Sequence, residues 1–231
     1  MSYLARSDSR RWMSASTIAA LDGVSEATGY RLPLLDDENV DADVMSRGIP
    51  IGLIHSMGTD DLPGLVRDAE LVTRITHGSP FALSLVGTVA RAVSIAARRV
   101  RPLLELREAV LVGLPDGAVR EALTASRQTK EYGSNPSPAQ VLADAIAIVG
   151  ESNSFQDVLE RSVATGGATD TRASLAASLY GGYHGSTAIP QRLIDGLEAR
   201  IYVSLAVPWF YRTVARRTGR SIDLRFSQDR F

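Results

Sequence analysis

The 231-residue chain contains no cysteine, and that one absence removes disulfide staples, thiolate nucleophiles and thiolate zinc sites together. Histidine is scarce too. His55, His77 and His184 are scattered, so no Ser-His-Asp nucleophile set can be argued from the sequence. Neither charge is in excess: 25 Lys and Arg face 26 Asp and Glu, for a net charge of −1. A basic footprint for nucleic acid is therefore lacking, and Arg10, Arg11 and Trp12 are too few to supply one. No uncharged run is apolar enough to cross a bilayer. The longest uncharged stretch, Ala173–Gln191, is broken by Gly181, Gly182, His184, Gly185 and Pro190. Residues 1–12 carry arginines without the apolar segment of a signal peptide. These absences predict a soluble, cytoplasmic protein with no nucleic-acid and no membrane partner.

What the chain does contain is 45% hydrophobic residues, enough for one core. Apolar spacing follows the helical period nearly throughout, with almost no period-2 alternation, so residues 1–231 read as a single all-α domain. A helix is expected within Arg6–Ala27, capped by Ser14 or Ser16. Gly29–Arg47, with Pro33 and the acids Asp36 to Asp43, reads as a loop, and Ile49–His55 as a short, strand-like apolar segment. Thr59 or Asp60 would cap a helix running to about Thr76. Ser79 and Pro80 start a long helix through Arg99 whose apolar residues cover most of its circumference, as a central helix requires. Further helices are expected over Leu103–Val112, Asp116–Ser126, Pro138–Val149, Ser154–Ala164, Thr169–Tyr183, Pro190–Leu205 and Trp209–Arg217. Ser154 and Asp157 stand at capping-box spacing.

The most informative segment is GGATDTRASLAASLYGGYHGSTAIP, Gly166 to Pro190. A glycine pair leads into a helix whose first turn holds Asp170 and Thr171. Hard oxygen ligands at a helix start, beside small residues, suit Mg²⁺ or Mn²⁺ facing phosphates. The segment resembles the C-terminal signature of the ADP-ribosylglycohydrolase family, which reads G-G-D-T-D-T, then a small-residue helix and an A-I-P turn. Gly166, Gly167, Thr169, Asp170 and Thr171 match, and Ala168 stands where the first aspartate belongs. The likeness covers roughly Arg47 to Arg200. Arg47, Pro50, Gly52 and Leu53 match an Arg-x-x-Pro-x-Gly-Leu segment, Thr76, His77 and Pro80 a Thr-His-x-x-Pro segment, and IPQRLIDGLEAR the closing helix.

The resemblance implies an all-α fold and an ADP-ribose-like ligand contacted by Arg47, His77, Gly166 and Gly167. It implies Mg or Mn on Asp170, Thr171 and Thr169, and assigns no complete catalytic set. Four departures accompany it. The Thr-Asp-Asp element that supplies half of a two-metal centre has no counterpart before the matching part, and Ala168 removes a further carboxylate. Ala42-Asp43 replaces an Asn-Gly of the phosphate-contacting loop, which sets a carboxylate against a diphosphate. The adenine-stacking aromatic near Gly133–Pro138 is out of register, with Tyr132 the nearest substitute.

Structural roles compete at most of these positions. Asp170 could cap the helix that follows it, His77 could make a structural hydrogen bond, and His184 could cap a helix end. Thr59-Asp60-Asp61 imitates the absent motif but reads as a helix cap; His55 carries no functional reading. The acidic loop reads as solvated surface or, second, a partner epitope. Function then divides between a non-catalytic binding or interaction protein, a divergent hydrolase removing ADP-ribose, and a truncated product without a fixed role. A protein partner or second copy is expected near Trp12, Ile18, Leu21, Leu32 and Leu34.

Overall fold

The computed structural model describes residues 40–125 and 136–217, together with 13–15, 17–19 and 22. Trp12, Leu21, Leu32, Leu34 and Tyr132 lie outside them, as does most of the acidic loop. The described residues of the first expected helix are helical or lead into it, and the Ser14 hydroxyl accepts from the Thr17 amide at 3.3 Å, as a cap there should. No strand occurs among the described residues.

A 3₁₀ turn over Ala42–Arg47 leads directly into helix α1, Gly48–Ser56. Both findings correct the sequence expectation of a loop followed by a strand-like run. Pro50 falls in the first turn of α1, where a missing N–H costs nothing, and Gly48 and Gly52 form one face at helical spacing. That face lies against helix α3, Pro80–Arg98. A Cβ on Gly48 would stand 2.8 Å from Val89 Cβ, and one on Gly52 would meet the Ala90 carbonyl oxygen and lie 2.7 Å from Val93 Cβ. Close backbone approach, not loop geometry, selects glycine at both positions.

Helix α2, Leu62–Thr73, is capped by Asp61, whose carboxylate accepts from the Gly64 amide at 2.9 Å. The cap thus lies one residue beyond Asp60 and two beyond Thr59, the expected positions, and the helix ends before Thr76. His55 and Asp68 tie α1 to α2 at 3.0 Å. Ser79 caps α3 through the Ala82 amide at 3.2 Å, and Arg99 ends it in the left-handed region at φ 54°. Ala82, Leu85, Val86, Val89, Ala90 and Val93 are essentially without solvent contact, so α3 is the central helix its composition announced. Although α3 is long and apolar enough for a membrane span, its buried residues make it the core of this domain.

A 3₁₀ turn at Leu103–Glu105 and helices α4 (Leu106–Leu111) and α5 (Ala118–Ala125) follow. Helix α6, Pro138–Glu151, opens on a full capping box between Ser137 and Gln140. At helix α7, Phe155–Ala164, Ser154 accepts from Asp157 N at 3.1 Å, but the Asp157 carboxylate accepts from Asn153 N instead of closing the box. Helix α8, Thr169–His184, packs against α3, α6 and α7. The expected Pro190–Leu205 helix is divided: α9 covers Gln191–Asp195 and α10 runs from Arg200 to Arg217, straight through Pro208. The division falls at Gly196 and at Ala199, which takes a positive φ of 57°.

Replacing Gly52 by Ala should push α1 off α3 and cost about 1–3 kcal/mol, as overpacking of a tight contact does. Urea unfolding followed by circular dichroism measures it; an unchanged midpoint would contradict the close approach.

Candidate functional site

The Gly166–Thr171 turn takes its shape from two consecutive left-handed residues, Gly166 at φ 75° and Gly167 at φ 66°. A side chain at either would be strained, so the glycine pair is a backbone requirement. The Gly166 amide closes on the Val163 carbonyl at 3.2 Å, and Thr169 N donates to Gly167 O at 2.8 Å. Ala168 occupies the N-cap of α8 and supplies no capping side chain. Asp170 lies within the first turn and is not the cap, which corrects the structural reading of that residue.

Arg172 holds this turn from inside. Its side chain has no exposed surface and is the largest fully buried one among the described residues. One guanidinium nitrogen, Nη1, donates to the carbonyls of Gly166 at 2.7 Å and Ser162 at 3.2 Å, while Nε lies 3.5 Å from the Asp144 carboxylate of α6. Asp144 is 1% exposed. The pair therefore joins α6, the end of α7 and the start of α8. Sequence reasoning passed over both residues; the available signal was a charge inside each of two otherwise apolar helical faces, VLADAIAIV and TRASLAASL.

Outside the turn, Asp170 and Thr171 line a cavity of about 250 Å³ with Ser174 and Leu175 of α8 and Asp43 and Ser46 of the 3₁₀ turn. Asp43 was read from sequence as a repulsive substitution and as part of a solvated acidic loop. In the structure it sets a second carboxylate on the same cavity as Asp170, and its Oδ1 is buried with no hydrogen-bond partner. Thr169 stands at the helix start but does not line this cavity, and Gly167 is exposed at the turn.

Arg47 and His77 are brought together, in a separate cluster. Arg47 Nη1 donates to the Thr76 hydroxyl and lies 3.4 Å from His77 Nδ1; Nη2 donates to Thr17 Oγ1 at 3.3 Å. Thr76 Oγ1 and His77 Nδ1 are 2.8 Å apart. Burial pushes the Arg47 pKa down, and the nearby Asp43 carboxylate partly offsets this. His77 has no exposed surface, and its ring faces Arg47 and Thr76. Arg47 itself lines a shallow cavity with Thr17, Pro50, Ile51, Val72, Ile75 and Thr76.

The small-residue face of α8 borders a groove of about 940 Å³ with α1 and α10. A Cβ on Gly181 or Gly182 would meet nothing closer than 3.9 Å, so close helix packing does not require glycine at either position. His184 closes α8 by lying over Tyr180, ring centroids 4.2 Å apart, rather than by capping carbonyls.

The ADP-ribosylglycohydrolase family model matches residues 3–221. The chain belongs to the ADP-ribosylglycohydrolase family. The match reaches well outside the Arg47–Arg200 stretch on which the resemblance rested, and it agrees with the all-α architecture. A search of curated proteins finds no match.

Arg172→Met should leave Asp144 buried without its cation and the Gly166 carbonyl without its donor, a loss of about 3–5 kcal/mol. Adding Asp144→Leu should recover much of that. Chemical denaturation of both variants measures it; a single variant as stable as the parent would contradict the buried pair.

Proposed function

We propose that this chain is a non-catalytic member of its family, serving as a binding or interaction protein. The observation that carries the reading is the donor set beside Gly166–Thr171. Two-metal hydrolysis needs carboxylates from separate chain regions holding two ions about 4 Å apart. The cavity offers Asp43 and Asp170 with the hydroxyls of Ser46, Thr171 and Ser174, and Ala168 contributes no oxygen from its side chain. No cluster of three or more His, Asp or Glu side chains suited to a metal occurs among the described residues. That set does not fit a paired centre, and no hydrolytic step is derived through one.

Binding is the role these features support. An ADP-ribose-like ligand would have the turn backbone and Arg47 to approach, with its diphosphate kept from Asp43 by repulsion. A protein partner or second copy would find exposed apolar side chains on α10, where Ile201, Tyr202, Leu205 and Trp209 are each more than two-thirds exposed.

A second reading rests on Asp43. Its buried, unpartnered Oδ1 beside Asp170 favours a divergent Mg- or Mn-dependent hydrolase whose missing ligand comes from the 3₁₀ turn. Titration calorimetry with Mn²⁺ separates the two. The non-catalytic reading expects no tight ion in the parent and a gain in affinity for Ala168→Asp, because the new carboxylate joins Asp170 at one helix start. About two tight ions per parent chain, as a paired centre would hold, would overturn it. If Asp43→Asn abolished that binding, the divergent hydrolase would stand in its place.

A further inference from the structure

A further cavity, of about 350 Å³, lies between α2, α3 and the turn at Gly113–Pro115, and it shares no lining residue with the cavity of Asp43 and Asp170. Its walls are Leu62 and Val66 of α2, Leu83 of α3 and Leu114 of the turn, and its volume is within the range of small-molecule sites. Leu62 and Val66 are each more than one-third exposed, although they belong to a helix face that adjoins the core.

Gly87 is the telling position. It lies in the middle of α3, where glycine costs about 1 kcal/mol relative to alanine. Gly48 and Gly52 repay such a cost by close backbone contact. Gly87 does not: a Cβ there would meet nothing within 4 Å. What its missing side chain leaves is open space in the cavity.

Arg91 stands one helical turn further along α3 and lines the same cavity. Its Nη2 donates to the Ala109 carbonyl at 3.2 Å, and its other guanidinium N–H groups make no hydrogen bond with the described residues. The guanidinium is partly removed from water, with the Asp60 carboxylate in electrostatic reach. Glu70 also lines the cavity, but its carboxylate is drawn to Arg74, 3.8 Å away.

We propose that this cavity binds a small amphipathic carboxylate, its apolar chain over Gly87 between Leu62, Val66, Leu83 and Leu114, and its carboxylate on Arg91. An anion there would take up the guanidinium hydrogen bonds that the protein leaves unmade, and the apolar chain would cover Leu62 and Val66.

The test uses octanoate, with octanol and octylammonium as comparators, in calorimetry and thermal unfolding of the full chain. Octanoate should bind the parent and raise its Tm, and should bind better than either comparator. Gly87→Leu, which fills the cavity without a backbone clash, should keep the helical circular dichroism and lose octanoate binding. Arg91→Gln should weaken octanoate by about tenfold or more and leave octanol unchanged, since a charge-assisted hydrogen bond is lost. Glu70→Gln should tighten it. Failure of octanoate to bind the parent, equal binding by a folded Gly87→Leu variant, or preference for octylammonium would overturn the proposal. So would capture of an amphipathic helical peptide by the groove in place of octanoate.

Discussion

Two charges with almost no access to water, Arg172 and Asp144, fix the relation between three helices and the turn that carries the family's signature. Burying an ion pair costs several kcal/mol per charge, and the geometry must return it through further hydrogen bonds. Here the return comes from backbone carbonyls. Ser162 lies near the end of α7, Gly166 opens the turn, and Asp144 sits on α6, so one guanidinium reports on all three. The left-handed conformations of Gly166 and Gly167 make the turn possible, and Arg172 gives it one position relative to the core. Such a device holds shape without any ion or ligand outside the turn.

That internal support gives the turn its form from buried groups rather than from the charges around it. With Ala168 at the N-cap, α8 begins without a capping side chain, and Asp170 is left directed to the cavity it shares with Asp43. Arg47 is held by Thr76, Thr17 and His77. The result is a cavity lined by two carboxylates, Asp43 and Asp170. An environment of that kind favours a cation or a hydrogen-bond donor over a diphosphate.

The helical class and the central place of Pro80–Arg98 were legible because apolar residues around a whole helix admit few other positions. The cap at Ser79 was legible for an equally local reason, a serine before a proline. Long-range causes were not legible. The need for glycine at positions 48 and 52 emerges only with the facing α3 backbone in place. Asp43 and Asp170 are far apart in sequence, and only the packing of the 3₁₀ turn beside α8 sets them on one cavity. Arg172 and Asp144 were each hidden by apolar neighbours, since a buried charge is recognised through a partner the sequence does not name. The family signature supplied the location of the site, and the structure supplied which of its residues face each other.

The central proposal is that this chain carries the signature turn without a hydrolytic centre. Its most direct measurement is release of ADP-ribose from an ADP-ribosylated arginine peptide by the pure chain, with Mg²⁺ and then Mn²⁺ in excess. The account predicts release at the rate of the protein-free control, and the same rate for Asp170→Ala. Metal-dependent turnover by the parent, abolished by Asp170→Ala in a folded protein, would contradict it.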